Sequence, residues 1–472
     1  MLASETMPTV FNSVVRSDAY QSAKRQLIDA LRKELKVIDK PRSPQADLSK
    51  SYQEQIDRLG TLRGRELFYK FIGSGAGNGP FIELGDGSVK YDLITGIGVN
   101  FFGHANLELF EAEIDSLWCD IMQGNLGPGP DYAALMAALL DVVGPKSRLK
   151  NVWLTTCGAT ANEIALKIIR QKKFPATKVM AFKDCFAGRT TALQEITDNA
   201  AYRQGQPTYG EVHYLPFFDP KSKVSAAEQG EAAAKLMKEE LARYAGKFAM
   251  LEFEIVQGEG GFNVAPREFL LPILEEAKKG GLAIWADEIQ TFGRTGEIFC
   301  YQRLGIDEYI DVVTVAKLLQ NGAVMWAPEF NPKAGLISGT FAGATAGIRA
   351  GHKVLELLKS NLAGPNGRIM QLERMTLDEF ARIKKGQQGK HLVDYTVFGG
   401  MIAFTLFDGS LDKAKKFLFK LWDLGAVAFY CGHGPYRVRM LPPFGAMTDE
   451  QWKHVFQLVE QAIAETAAEQ KS

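Results

Sequence analysis

The stretch Gly281–Gly322, GLAIWADEIQTFGRTGEIFCYQRLGIDEYIDVVTVAKLLQNG, contains two short apolar runs separated by a segment of helical length. Asp287 follows the first run and Lys317 follows the second. Runs of this length that are rich in β-branched residues are typical of buried strands. Because a lysine is rarely buried without a partner, Lys317 is a candidate functional residue at the end of a strand.

Further runs of the same kind lie upstream, KVMAFKD at residues 178–184 and KFAMLEFEIV at residues 247–256. The segments between the runs have helical length, and the clearest helix is Pro266–Lys279, with proline in its first turn and glycines after its end. Alternating strands and helices predict an α/β fold with a largely parallel central sheet covered by helices. In such sheets, ligands bind beyond the carboxyl ends of the strands.

Polar side chains stand where these strands should end. Gln257 and Glu259 follow the run that contains Glu254, and Glu288 and Gln290 follow Asp287 within three residues. Any one of these groups, taken alone, would be interpreted as a surface charge. Because the strands are apolar and their carboxyl ends share one sheet edge, the set together predicts a polar pocket next to Lys317.

A second feature is the segment TTCGATANEIALKIIRQKK, which begins with small residues and continues as an amphipathic helix. Thr155 and Thr156 are predicted to cap this helix, and Gly158 admits close approach of a ligand. The free N–H groups at a helix N-terminus form an anion site. A glycine-rich stretch at residues 73–80 is not preceded by a strand, so we expect a flexible loop near the site entrance instead of a phosphate loop.

The composition excludes several classes of function. The chain has 472 residues, of which 46% are hydrophobic and 23% charged, as in ordinary globular proteins. Its 55 basic and 55 acidic side chains give a net charge of zero, so no nucleic-acid or membrane-surface partner is expected. No apolar run approaches the roughly 18 residues of a membrane span.

The cysteines and histidines indicate the redox compartment and whether a metal site is expected. The five cysteines contain no C-x-x-C pair, which is typical of free thiols in a reducing compartment. The six histidines form no ligand cluster, so no metal site is expected. The first residues lack the basic start and apolar region of a signal peptide, and we expect a cytoplasmic protein.

A lysine amine, a buried aspartate and an anion-binding helix together suggest pyridoxal 5′-phosphate (PLP). Burial favours the neutral amine that a Schiff base requires. A carboxylate against the pyridine nitrogen keeps that nitrogen protonated, so the ring can accept electrons from a substrate carbanion. The helix N-terminus would hold the phosphate.

With these residues in place, the sequence resembles the class III (ω-amino-acid) aminotransferases, which include acetylornithine, ornithine and 4-aminobutyrate aminotransferases. The resemblance runs from about Gly79 to Thr448 and is strongest over Trp285–Gly322. It implies PLP-dependent fold type I, with a mostly parallel central sheet and a smaller α+β domain formed by the two chain ends. It also implies ping-pong transamination between an ω-amino (or α-amino) donor and a 2-oxo acid, with 2-oxoglutarate as the expected acceptor.

The expected domains follow from this resemblance and from the change of pattern along the chain. Residues 1–95 are expected to be an N-terminal segment belonging to the small domain. Residues 96–345 are expected to form the large PLP-binding domain, and residues 346–472 the C-terminal part of the small domain.

The resemblance assigns roles around the cofactor ring. Lys317 would be the Schiff-base lysine and Asp287 the pyridinium partner, and these two are the expected catalytic residues. Gln290 would hydrogen-bond the ring oxygen. Ile289 would pack on one face of the ring and Phe186 on the other.

Other roles concern the phosphate and the subunit interface. Gly158 and Ala159 would donate backbone N–H groups to the phosphate, and Glu254 is included among the cofactor-binding residues. Thr340 resembles the threonine that reaches the phosphate of the partner subunit. A homodimer with active sites at the subunit interface is therefore expected.

The resemblance also implies substrate-binding residues. Arg189 would bind the distal carboxylate of an ω-amino substrate. Arg439 would bind the α-carboxylate of glutamate or 2-oxoglutarate, and Glu259 would cover that arginine when an amine is bound. Arg437 lies two residues earlier, on the same face of a predicted strand, and is an alternative carboxylate ligand.

Several residues depart from the family pattern. Cys157 and Thr160 stand where serine and glutamate are usual, and Ala187 replaces a histidine. The residues after the lysine, Leu318–Gln320, are large where small residues and glycines are usual.

Alternative functions remain open at this point. Within PLP chemistry the alternatives are an aminomutase of the glutamate-semialdehyde type and a decarboxylase. A nucleotide-binding α/β protein without PLP is a further alternative, although no Walker motif or strand-linked GxGxxG is present. A catalytically inactive relative is disfavoured by the presence of Asp287, Gln290 and Lys317.

Overall fold

The computed structural model describes residues 9–124 and 126–469. The helices are α1 Val10–Val15, α2 Asp18–Leu35, α3 Ser49–Leu62, α4 Thr95–Gly98, α5 Leu107–Ile114, α6 Pro130–Asp141, α7 Gly158–Lys173, α8 Leu193–Ile196, α9 Ala200–Arg203, α10 Ala226–Arg243, α11 Arg267–Lys279, α12 Cys300–Leu304, α13 Thr345–Leu357, α14 Arg368–Lys385, α15 Leu411–Asp423 and α16 Asp449–Glu469.

The strands are β1 Gly73–Asn78, β2 Phe81–Leu84, β3 Val89–Asp92, β4 Met122–Gln123, β5 Asn151–Thr155, β6 Lys178–Phe182, β7 Val212–Leu215, β8 Phe248–Phe253, β9 Val256–Gln257, β10 Asn263–Val264, β11 Ala283–Asp287, β12 Val312–Val315, β13 Gly322–Trp326, β14 Gly343–Ala344, β15 Leu392–Phe398, β16 Met401–Leu406, β17 Ala426–Val427, β18 Phe429–Cys431 and β19 Arg437–Met440.

The central sheet has seven strands in the order β5-β13-β12-β11-β8-β6-β7. Strands β12, β11, β8, β6 and β7 are parallel neighbours, and β13 is antiparallel to both β12 and β5. The strands predicted from the runs before Glu254, Asp287 and Lys317 are thus adjacent and parallel. The α/β fold with a mostly parallel sheet is confirmed.

Helices cover both faces of this sheet. Helix α7 packs on one face, where Ile168 and Ile169 join a buried cluster with Trp285 and Val324. Helices α6, α10 and α11 contribute to the larger core on the other face. The apolar stripe predicted for α7 therefore fixes the position of the helix N-terminus relative to the ends of the strands.

Two smaller sheets lie outside this layer. One joins β1, β2 and β3 to β17, so strands from the two ends of the chain share a sheet. The other contains β15, β16, β19 and β18. The division of the chain into residues 1–95, 96–345 and 346–472 stays a prediction.

Two local predictions were wrong. Residues 73–80 do not form a flexible loop, because Gly73–Asn78 is strand β1 and pairs with β2. Glycine is required at position 77, where a Cβ would lie 2.4 Å from the Cβ of His104. Helix α7 is capped by the extended residue Cys157 and not by the preceding threonines, since Thr160 accepts the Cys157 N–H at 3.2 Å.

Within residues 9–124 and 126–469, none of the helices combines the length and the apolar character that crossing a membrane requires.

Candidate active site

Lys317 lies two residues after the end of β12, at the first position of a 3-10 turn. Its φ of +50° is in the left-handed region, which a residue with a side chain rarely adopts. Leu318 and Leu319 behind it are fully buried, and a Cβ at Gly293 would lie 3.0 Å from the Leu318 side chain. The large residues after the lysine therefore anchor its strained turn in the core.

The Lys317 amine lies among opposing charges. Desolvation lowers its pKa to about 8, the Glu259 and Asp287 carboxylates act to raise it, and the Arg439 guanidinium acts to lower it. A substantial fraction of the amine is therefore neutral near pH 8, as a nucleophile or a general base requires.

Asp287 ends β11, on the strand next to the one that carries Lys317. Its Oδ1 accepts the backbone N–H of Ile289 at 2.9 Å, and its Oδ2 accepts Nδ2 of Asn162 at 2.6 Å. Burial raises the pKa of this carboxyl to about 6, while the two hydrogen bonds and Lys317 act to lower it. Asp287 is thus a buried carboxylate held in one orientation.

Glu259, Gln290 and Arg439 form a linked group beside the lysine. Arg439 is 1% exposed, and its Nη1 lies 2.7 Å from Oε1 of Glu259. Nε2 of Gln290 donates to the same oxygen at 3.3 Å. Burial acts to raise the pKa of Glu259, but the Arg439 charge lowers it below its usual value. The three predicted residues are therefore in contact.

Arg437 has different surroundings from Arg439, although both lie on β19. Its Nη1 donates to the Gly261 carbonyl at 2.7 Å, and its Nη2 donates to the Ala403 carbonyl at 3.1 Å and lies 3.2 Å from Asp394. These contacts tie β19 to its neighbouring segments. Of the two arginines, only Arg439 contacts Glu259, so Arg439 is the better candidate for binding a substrate carboxylate.

Arg189 is exposed and lies near the Glu259–Arg439 pair, because Tyr202 interacts electrostatically with all three of these residues. Its guanidinium carbon lies 3.9 Å from the centroid of the Tyr202 ring and 5.9 Å from that of Phe186. Within the described parts of the chain it forms no ion pair. The ring beneath it fixes the plane of the guanidinium and leaves its N–H edge available to an anion.

The N-terminus of α7 lies next to Ile289, because a Cβ at Gly158 would be 2.9 Å from the Ile289 side chain. Burial acts to raise the pKa of the Cys157 thiol, but hydrogen bonds from Thr160 and from the Ala159 N–H lower it below its usual value. This end of the helix therefore stabilises negative charge. It is the place predicted for the phosphate.

Three predicted strand-end groups face other parts of the protein. Glu254 accepts the backbone N–H groups of Phe186 at 2.9 Å and Gly258 at 2.8 Å, and so joins two loops of the site. Glu288 accepts the N–H groups that open α12, and Gln257 donates to the carbonyl of Lys183. The polar pocket is therefore smaller than the sequence predicted, and direct contact of Glu254 with the cofactor stays a prediction.

Thr340 is exposed on a segment that is separate from these residues. It precedes β14, which pairs with β4, and the Ala342 N–H donates to the Gln123 carbonyl at 2.7 Å. Large apolar side chains are exposed on this segment and on the stretch of chain from residue 117 to residue 126 that leads through β4, namely Leu117, Ile121, Leu126 and Phe341. We call these four residues the apolar patch.

Sequence reasoning missed Asn162 and Tyr202. Asn162 lies on the face of α7 that packs against the sheet, where an amide is unusual, so its position within an apolar stripe was an available signal. Tyr202 lies in the short helix α9, and nothing in its local sequence indicates contact with Arg189.

Comparison with known proteins identifies the family. Residues 68–463 match the model described as aminotransferase class-III. Acetylornithine aminotransferase of Bacillus subtilis is 30% identical over 411 residues, which cover 83% of this chain and 94% of that protein. The 2-aminoadipate transaminase of Pseudomonas putida is 31% identical over 396 residues, covering 80% and 92%. The chain belongs to the class III aminotransferases.

A solved structure supports the fold separately. The lysine aminotransferase from M. tuberculosis superposes with a TM-score of 0.76 at 18% identity, covering 87% of this chain and 99% of that one. The chain is therefore a PLP-dependent aminotransferase that moves an amino group between an amine donor and a 2-oxo acid. Family membership argues against the nucleotide-binding alternative.

The residues present fit PLP. Lys317 supplies the amine, Asp287 the buried carboxylate and the N-terminus of α7 the anion site. Oε1 of Gln290 is buried and has no hydrogen-bond partner within residues 9–124 and 126–469, so a bound group can satisfy it. When bound, PLP supplies an electron sink for the substrate carbanion. Lys317 would then hold and transfer the proton, and Asp287 would hold the proton of the pyridine nitrogen.

Proposed function

We propose that this enzyme transfers an amino group from a donor that carries a carboxylate distant from the reacting amine, with 2-oxoglutarate as acceptor. The observation that carries this proposal is the buried ion pair between Glu259 and Arg439, 2.7 Å apart, close to Lys317. An enzyme with a ping-pong mechanism must accept two different substrates at one lysine. An ion pair that can open and close would allow the site to bind both substrates.

The ion pair has two useful states. When Glu259 covers Arg439, the guanidinium presents no net charge to an amine carbon that bears no carboxylate. When Glu259 moves away, the Arg439 fork can bind the α-carboxylate of a 2-oxo acid through two hydrogen bonds. Gln290 contacts Glu259 and would steady the closed state.

Arg189 supports the choice of donor. It is a second cation, exposed near the Glu259–Arg439 pair and held by Tyr202, so it can bind a carboxylate that Arg439 does not. Acetylornithine, the substrate in the name of the Bacillus subtilis relative, has a carboxylate remote from its reacting amine. It therefore heads the panel of donors to be tested, with ornithine, lysine, 4-aminobutyrate and 2-aminoadipate beside it.

The test measures the two half-reactions separately by single-turnover kinetics. Glu259→Gln leaves Arg439 without its charged partner, so the ω-amine half-reaction should slow by about tenfold, equivalent to about 1.4 kcal/mol. The 2-oxoglutarate half-reaction should be little changed. Arg189→Met is the matched variant. It should weaken the binding of donors that carry a distal carboxylate and leave the binding of other donors unchanged. Equal slowing of both half-reactions by Glu259→Gln would exclude the gating role.

We also propose a homodimer in which the apolar patch lies at the interface and Thr340 of each subunit approaches the phosphate site of the other. Ile121 is 81% exposed and Leu126 is 100% exposed, and side chains of this kind in one patch favour a partner surface. The self-complementary contact of a two-fold dimer would cover both copies of the patch.

Sedimentation of Ile121→Asp tests the dimer. A charge in the patch should shift the protein from dimer to monomer at micromolar concentration and lower PLP retention. Leu62→Asp is the control, because Leu62 is 74% exposed on α3 outside the patch. An unchanged dimer in Ile121→Asp would show that the interface lies elsewhere.

We finally propose a cytoplasmic location. All five cysteines are free thiols in the structure, which supports residence in a reducing compartment.

A further inference from the structure

Asn162 lies in the second turn of α7 and is 1% exposed. Its Nδ2 donates two hydrogen bonds, one to Oδ2 of Asp287 at 2.6 Å and one to the carbonyl of Ala187 at 2.7 Å. A carbonyl oxygen and a carboxylate oxygen are both acceptors, so the amide nitrogen must face them. One side chain thus joins the carboxylate at the end of β11 to the loop that carries Phe186 and Arg189.

The bond to Asp287 matters because few other groups hold that carboxylate. The Ile289 N–H satisfies Oδ1 and Asn162 satisfies Oδ2, which leaves further lone pairs for a pyridine N–H. Burial raises the pKa of Asp287 to about 6, and the Asn162 bond is one of the interactions that act against it. A donor amide favours the carboxylate over the carboxylic acid.

The bond to Ala187 fixes the other end of the link. The Ala187 N–H donates to Oγ1 of Thr197 at 3.1 Å, and the neighbouring Phe186 N–H donates to Glu254 at 2.9 Å. The loop is therefore held at each peptide that precedes Arg189. Asn162 links this loop to Asp287 through its two hydrogen bonds.

We propose that Asn162 is a positioning residue of the reaction: it keeps Asp287 ionised and aimed at the cofactor's pyridine nitrogen, and it sets the spacing between that carboxylate and the loop carrying Phe186. A carboxylate raises the affinity of the pyridine nitrogen for its proton more than a carboxylic acid does. Loss of the amide donor therefore weakens protonation of that nitrogen without removing any group that contacts substrate. The inference rests on PLP binding by the family and is independent of the donor proposed above.

The experiment uses holoenzyme reconstituted with PLP labelled with ¹⁵N at the pyridine nitrogen. Asn162→Leu keeps the volume of the buried side chain, and Asn162→Ala removes most of that volume. Both variants lack the amide N–H donor. In both variants the ¹⁵N resonance should change from its protonated to its unprotonated position at a lower pH than in wild type. The kcat should fall about 10- to 100-fold, the range found for residues that orient a catalytic ligand, with KM changed by less than about threefold.

Thr376→Val is the control. Thr376 is fully buried and accepts Nε1 of Trp452 at 3.0 Å, between α14 and α16, away from Asp287. It should lower thermal stability without moving the ¹⁵N titration. A change in Asn162→Ala but not in Asn162→Leu would indicate a cavity effect and would overturn the proposal, as would an unchanged titration in both.

A third variant covers the case in which Asn162→Leu does not fold. Asn162→Ser is smaller and retains a hydroxyl that is too short to reach both acceptors, so it should show the same direction of change. Failure of PLP binding is distinguishable, because it would appear as a wild-type protein that takes up no labelled cofactor.

Discussion

The two halves of the site are built in different ways. Lys317 and Asp287 lie at the ends of adjacent parallel strands of one sheet, and Asn162 on the covering helix α7 locks the carboxylate. Glu259 lies in the turn between β9 and β10, and Arg439 lies on β19, 180 residues later in the chain. The first cluster is fixed by backbone pairing, whereas the second depends on the docking of one layer on another.

This difference matches the demands on each half. Groups that act on the cofactor must keep their geometry through both half-reactions, and strands of a central sheet are rigid supports. A pair that alternates between substrates must be able to separate, and its position between two layers allows Glu259 to move without disturbing a strand. In the function proposed above, rigid strands therefore serve the chemistry, and the interface between layers serves substrate exchange.

The largest expected effect tests the rigid cluster. Lys317→Ala should reduce kcat by about 10⁴-fold or more, because Lys317 is the residue predicted both to bind the cofactor and to move the proton. The purified variant should also lose the visible absorbance of bound PLP. A yellow, active Lys317→Ala enzyme would show that the chemistry does not depend on the end of β12.

The second prediction compares two arginines on one strand. Arg437→Met removes donors to the Gly261 and Ala403 carbonyls and should lower the free energy of unfolding by about 3 kcal/mol. Its KM for 2-oxoglutarate should stay near the wild-type value. Arg439→Met should instead raise that KM by about 30-fold or more.

Denaturant unfolding and steady-state kinetics on the two arginine variants provide the check. If Arg437→Met raised the KM as much as Arg439→Met, the assignment of the carboxylate site to Arg439 would fail. If neither changed it, the cluster between the layers would have no part in acceptor binding.

The smallest expected effect concerns the interior of the sheet. Glu252 on β8 is fully buried, and neither carboxylate oxygen has a hydrogen-bond partner in the described chain. Burial, followed by the charges of Asp287 and Glu254, raises its pKa well above the usual value. The folded protein therefore binds a proton that the unfolded chain releases above about pH 4.3. The stability that this proton contributes is lost as the pH rises toward the folded-state pKa.

Glu252→Gln should remove this dependence. The variant should gain stability over wild type as the pH rises from 6.5 to 7.5, by up to about 1.4 kcal/mol. Thermal unfolding of the PLP-loaded proteins across that range measures the difference. A constant difference between the two proteins at all pH values would mean that Glu252 is not protonated in the folded state.

Much of the rigid cluster was predictable. Asp287 and Lys317 stand where apolar strands end, and the parallel order of those strands follows from alternating helices and strands. Glu254 and Glu288 show the limit of this reasoning. Both stand at the same strand ends, but their side chains bind backbone N–H groups of loops and of α12. Sequence position gives the place of a residue along a strand and does not give the partner of its side chain.

The sequence by itself determined the fold class, the family and the cofactor, and it predicted Lys317 as the Schiff-base lysine, because each depends on local patterns of strands, helices and strand-end residues. Only the tertiary structure decided that Arg439 and not Arg437 pairs with Glu259, and that Asn162 holds Asp287. Those choices depend on contacts between segments far apart in the chain, where burial and hydrogen-bond satisfaction are shared by several layers. A local sequence pattern does not specify contacts between distant segments, so these contacts are seen only in the packed structure.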